Sequence, residues 1–191
     1  MPTLELLYDF IEEPSRACEA VRRTRPLAAG LLGFLIGGSG FLAAQALSNR
    51  LHFLSFSWAC LAAVVAWKIV FVFILAGVLH LILQFQGRQG DAVALFILFG
   101  LTELAWALAL PLVLLLKAAA ASPWLISTAF LLVGLLSLGL KARSLQDDYG
   151  LSAGRAWLTL SLPYLVVAAV LALAVSLLAL RLLFEAVRVL A

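Results

Sequence analysis

Charge is scarce in this chain, and no stretch of it is both long and polar. Asp, Glu, Lys and Arg make up 12% of 191 residues, and the longest polar region is the first 25. That leaves no room for a separate soluble domain. Cysteine is equally scarce. Cys18 precedes the first apolar run and Cys60 lies in the second, near its opposite end. A bilayer would separate them, so no disulfide is expected and each reads as a small, inert hydrophobe. There are two histidines. His52 stands alone in a loop. His80 and Gln84 are four apart with no Cys, Asp or Glu at ligand spacing, so no metal site is expected. No Ser-His-Asp order, catalytic carboxylate pair or CxxC occurs, so catalytic residues, cofactors and enzymatic activity are not expected. The run Gly37-Gly38-Ser39-Gly40 lacks the Lys-Ser/Thr ending of a phosphate loop. The net charge of +3 comes from arginines flanking apolar runs, which excludes a nucleic-acid footprint. Glu5 and Asp9 interrupt the N-terminal apolar residues and no basic region precedes them, so a cleaved secretory signal is not expected. The first apolar run is expected to act as a retained insertion signal.

What is present is hydrocarbon. The chain is 65% hydrophobic with a mean hydropathy of +1.13, against about 45–50% apolar in soluble domains. The apolar residues fall into five runs, near 26–47, 57–83 (with an alternative start at Leu51), 91–116, 123–140 and 155–180. A spanning helix needs roughly 20 such residues. A β-barrel would need alternation, which the leucine-rich run at 112–116 lacks. The expected fold is an all-α integral membrane protein, a bundle of five transmembrane helices with a short amphipathic N-terminal helical segment. Its parts are an interfacial segment (1–25), a membrane domain (26–184) and a short tail (185–191). Ser48-Asn49-Arg50 closes the first span, Gly87-Arg88-Gln89-Gly90 breaks the chain after the second, and Ser122-Pro123 reads as a cap and first turn. Gly150-Leu151-Ser152 interrupts the loop before the fifth.

Basic residues set the orientation. Arg16, Arg22, Arg23, Arg25, Arg88, Lys141, Arg143 and Arg155 make eight on one side, against Arg50, Lys117, Arg181 and Arg188 on the other. The bias predicts a multi-pass protein of the cytoplasmic (inner) membrane with its N-terminus in the cytoplasm and its C-terminus outside. Before the first span, Leu4, Leu7, Tyr8 and Ile11 recur at helical spacing opposite Glu5, Asp9 and Glu12, and a second helix starts at Pro14. This segment reads either as a helix lying on headgroups or as a docking surface for a cytoplasmic partner. Arg181, Glu185 and Arg188 share a face, so the last span is expected to continue as an interfacial helix.

Two charges interrupt the apolar runs at mid-depth. Lys68 lies ~16 Å and Glu103 ~20 Å from the outer ends of adjacent antiparallel spans, at the helical rise. A lone charge at that depth costs about 2.5–3.5 kcal/mol, so pairing is expected, and replacing both by apolar residues should be tolerated better than either single change. The pair reads as a structural ion pair or as the proton or substrate site of a transporter. Gly100, Glu103 and Ala107 form a small-residue face around it. Along the first span Gly30, Gly33, Gly37, Gly40 and Ala44 form a ridge for close packing within the chain, with a homo-oligomer face as the alternative. Pro111 and Pro163 are expected to kink their spans.

Pro14 and Arg16, His80, the turn Gly87-Arg88-Gln89-Gly90, Pro111, and Gly150-Leu151-Ser152 with Arg155-Ala156 form a pattern over residues 3–180. It resembles the Yip family, the Ypt/Rab-interacting membrane proteins and their prokaryotic relatives. Gln86 stands where the family's first turn glycine is expected, and Gln89 sits inside the turn. The resemblance implies five spans and a non-enzymatic membrane scaffold or adaptor that organises membrane or recruits partner proteins. The expected partners are the lipid bilayer and an unidentified membrane or cytoplasmic protein. The implied cytoplasmic contact surface comprises residues 1–25, the 86–91 turn and a 141–155 loop, with His80, Gly87, Arg88, Gly90, Arg143 and Arg155. A small transporter or channel built on Lys68 and Glu103 is the alternative.

Overall fold

The computed structural model describes residues 3–48 and 57–190, all in helices and short turns. Arg50, His52 and the alternative start at Leu51 lie outside the described residues. Two short helices, α1 (Thr3–Glu12) and α2 (Pro14–Thr24), precede the first long one, α3 (Leu27–Ser48). Then follow α4 (Trp58–Phe85), α5 (Ala92–Thr102), a 3-10 segment (Glu103–Leu108), α6 (Ala109–Ala118), α7 (Pro123–Tyr149) and α8 (Ala153–Leu190). Among the described residues, five helical units are long and apolar enough to cross a membrane, with α5, the 3-10 segment and α6 together as the third. The protein is therefore an all-α, multi-pass membrane bundle of five helices.

Local chemistry explains the helix ends. Ser57 caps α4, its hydroxyl accepting from Cys60 N at 3.2 Å. Asp91 caps α5, one carboxylate oxygen accepting from Val93 N at 2.9 Å and Ala94 N at 3.3 Å. These bonds satisfy amide groups that a first turn leaves unpaired. Ser122 sits at the cap position of α7, but its side chain makes no capping bond. Gly87 and Gly150 take left-handed conformations (φ 75° and 61°). The next amides then reach back, Arg88 N to Leu83 O at 2.9 Å and Leu151 N to Gln146 O at 3.1 Å.

The first and third spans form the tightest pair. A β-carbon on Gly33 would collide with the Gly100 carbonyl, on Gly37 with the Glu103 carbonyl, and on Gly40 with Ala107 and the Trp106 carbonyl. Gly30 lies against Ile97. The ridge is thus occupied inside the chain by the third span, and only glycine permits that approach. The third span departs from α-helical geometry not at Pro111 but in the turns before it. Proline lacks an N–H and its ring crowds the carbonyl four residues back. That carbonyl belongs to Ala107, inside the 3-10 segment, which tightens to restore bonding (Ala109 N to Trp106 O). α8 runs on through Pro163. It is anchored near its start by Ala156, Thr159 and Leu160, and from 164 to 179 it is exposed on every face. It also continues past residue 184, so the expected boundary there falls inside a helix.

The N-terminal segment docks on the bundle, but not through the face its spacing predicts. Tyr8 of that face is 61% exposed, and Leu6 and Phe10 on another side of α1 are buried instead. The side chains of Leu4, Leu7 and Ile11 lie outside the described residues. Leu6, Phe10, Ala17, Cys18 and Val21 are buried with Ala94, Ile97, Leu98 and Leu101 of α5. Those side chains cover protein rather than headgroups.

Candidate functional site

Glu103 opens the 3-10 segment and is 5% exposed. Because the segment is wound tightly against Gly37, its carboxylate projects away from α3 toward α4 and α7. Lys68 of α4 donates to Oε2. On the other side, Lys141 of α7 donates from Nζ to Oε1 at 2.5 Å and to Ser137 Oγ at 3.0 Å. Lys68 is stacked against aromatic faces as well, its ammonium 5.1 Å from the Trp106 ring and 5.5 Å from Phe41. Phe41 in turn meets Trp106 edge-on at 5.2 Å. These cation–π contacts replace part of the lost hydration.

The expected pair is therefore a triad, and its third member corrects the sequence reading. Its position just after the fourth apolar run predicts a cytoplasmic loop for Lys141. It instead lies within α7, which extends to Tyr149, and its side chain is 7% exposed. A lysine near a span's polar end usually extends toward headgroups; this one points inward because Glu103 offers a carboxylate oxygen. Three consequences follow. The loop expected at 141–155 contracts to the three-residue turn 150–152. The basic count on the N-terminal side falls from eight to seven. Removing Lys68 and Glu103 together strands Lys141, so the double apolar replacement is no longer the benign one. The missed signal was a small and polar stripe on one face of α7: Gly134, Ser137, Lys141, Ser144 and Asp148, of which the last four are buried.

A second polar cluster joins the N-terminal segment to the ends of α5 and α7. Arg22 pairs with the buried Asp148 at 3.3 Å and Arg25 with Asp91 at 2.6 Å. Ser15 donates to Asp147 at 3.3 Å. Arg25 ends α2 in a left-handed conformation (φ 45°), which turns the chain into α3 and holds the guanidinium over Asp91. Burial alone would raise the Asp91 carboxyl, but the Ala94 and Val93 amides and the Arg25 guanidinium outweigh it and hold the group below its ordinary value. Burial, reinforced by Asp148 and Asp147, pushes the Cys18 thiol up to about 12.

The expected cytoplasmic contact residues divide. His80 and Gly90 are not free surface. His80 Nδ1 hydrogen-bonds the Tyr149 hydroxyl at 2.7 Å, and the Tyr149 ring packs directly over Gly90, where a β-carbon would not fit. Gly87 and Arg88 form the 86–91 turn. Arg143 and Arg155 are exposed, Arg155 in the first turn of α8 and Arg143 in a shallow groove with Glu12, Glu13, Ser15, Arg16 and Glu19. Among the described residues, no group of three His, Cys, Asp or Glu side chains is placed to hold a metal ion.

Fold and site define a polytopic five-helix membrane protein with a buried charge triad at its centre and a helical layer pinned across one end. No protein-family model matches the chain, and neither a curated protein nor a solved structure matches it.

Proposed function

We propose that the protein is a non-enzymatic, Yip-like scaffold or adaptor of the cytoplasmic membrane, with its N-terminus in the cytoplasm. The observation that carries this reading is the N-terminal layer. Its residues Leu6, Phe10, Ala17, Cys18 and Val21 are buried on α5, and it is tied down by Arg22–Asp148 and Arg25–Asp91. Its polar side, with Arg16 and Glu19 beside Arg143, remains exposed on a layer pinned to the bundle by these contacts. A surface ordered in advance loses little entropy when a partner binds. The seven-to-four excess of basic residues favours the cytoplasm for this end. A gentle-detergent pull-down read by mass spectrometry tests the proposal. A stoichiometric partner should be retained by the wild type and lost on combined Arg16→Gln and Arg143→Gln replacement. Recovery of no partner, or equal recovery with both proteins, contradicts it.

The second reading, a small transporter or channel, is favoured by the presence of three charges at the centre of the bundle. It requires solute or ion flux in reconstituted vesicles that disappears with Glu103→Gln and survives loss of Arg16 and Arg143.

A further inference from the structure

The triad holds two cations and one anion. Each of Lys68 and Lys141 has a bond to Glu103, and both carboxylate oxygens are engaged. With all three groups ionised, one positive charge is left over inside the bundle, where an uncompensated charge is expensive. Nothing else described in contact with the triad is acidic: Lys68 meets the Phe41 and Trp106 rings, and Lys141 meets Ser137.

A groove opens beside that surplus charge. It has a volume of about 310 Å³ and lies between the 3-10 segment and α7, lined by Trp106, Phe130, Gly134, Leu135, Ser137 and Lys141. Its polar floor is Ser137 and Lys141. Its walls are aromatic and aliphatic, and Leu135 on its rim is half exposed on the lipid-facing side. An ammonium has three N–H donors. Lys141 uses two of them, on Glu103 and Ser137. The third, and the hydroxyl proton of Ser137, have no partner among the described residues. Gly134 keeps the groove open, since a β-carbon there would meet only the Trp106 ring at 3.7 Å and longer side chains would fill the space.

We infer that this groove binds the carboxylate of a single-chain anionic amphiphile, with its head against Lys141 and Ser137 and its tail along the apolar walls toward lipid. A monoanion neutralises the surplus charge. A carboxylate matches two adjacent donors with two oxygens. A compact head with one chain can reach the triad, whereas a diacyl phospholipid would carry a bulky polar headgroup into the span. This site is separate from the cytoplasmic surface proposed for partner binding and does not depend on it.

Equilibrium binding of radiolabelled palmitate to the purified full chain in mild detergent, near neutral pH, provides the test. The wild type should bind saturably with one molecule per chain. Lys141→Met leaves a balanced Lys68–Glu103 pair and should weaken binding at least roughly tenfold, about 1.4 kcal/mol. Gly134→Leu leaves every charge in place, fills the groove and should weaken binding similarly, which keeps the test decisive if Lys141→Met fails to fold. Arg143→Gln, an exposed cation on the same helix, should bind as the wild type does. Methyl palmitate should not compete. Absence of binding, equal binding by the Gly134→Leu protein, competition by the uncharged ester, or binding of phosphatidylglycerol in place of palmitate would each overturn the inference.

Discussion

At the scale of single residues, the imbalance of charge around Glu103 sets the order in which substitutions should hurt. Lys141→Met or Lys68→Met leaves one cation against one carboxylate, so either protein should stay folded. Glu103→Gln leaves two buried cations with no counter-charge. It should be the least stable of the three, by about 3 kcal/mol or more, because each stranded charge costs about 2.5–3.5 kcal/mol at mid-span. Thermal unfolding in mild detergent measures this order, and an E103Q protein as stable as K141M would contradict it. Cys18 offers a second check. Its thiol is buried and pushed up to about 12, so at neutral pH it should resist maleimide in the folded protein and react once the protein is unfolded in a strong denaturing detergent. Lys68 and Glu103 were legible in the sequence because each interrupts an apolar run. Lys141 was not, because the apolar run 123–140 ends one position before it, and a lysine at the edge of an apolar run looks like a loop residue.

At the scale of helices, close approach and capping are the features most open to test. Gly33→Ala and Gly37→Ala should each be strongly destabilising, since the added carbon meets backbone carbonyls of the third span rather than a flexible side chain. Gly77→Ala in α4 has open space around it, and should be neutral or stabilising by up to about 1 kcal/mol. Equal effects at the three sites, measured as unfolding temperature, would show that the ridge is not a packing face. Asp91 combines a helix cap with the Arg25 pair. Asp91→Ala should cost about 1–2 kcal/mol. Its carboxyl is held below the ordinary value in the folded state, so its stabilising contribution is complete above the unfolded value near 4 and is lost as pH falls through the lower folded value. The wild type should therefore lose stability below about pH 4, and the alanine variant should lose less over the same range. The five helical units and the glycine ridge followed from apolar length and small-residue spacing. The 3-10 segment did not, because Pro111 signals a disturbance without fixing which earlier turn absorbs it. The extension of α7 to Tyr149 was equally hidden: its last two turns are polar outside and buried against α2, and only tertiary contact shows that they are helical.

At the scale of the whole molecule, the bundle is uneven. The third span lies at the centre, gripped by α3 and flanked by α4 and α7, while α8 leaves the protein core after its first turns. The cytoplasmic-side expectation rests on charge outside the hydrocarbon, and Lys141 shows how one buried lysine can enter that count wrongly; the remaining seven against four keep the same sign. Helix number and direction follow from hydropathy, whereas the docking of α1 and α2 onto the bundle could not be read from amphipathicity: the face of α1 that the spacing picks out carries the exposed Tyr8, and Leu6 and Phe10 on another side are the ones buried with α5. The central claim is an odd number of spans with the α1–α2 layer in the cytoplasm, and compartment-sensitive reporters fused at residue 20 and at residue 191 test it most directly. The account predicts a cytoplasmic signal from the first fusion and an external signal from the second. Two signals from the same compartment would contradict five spans, and reversed signals would contradict the orientation.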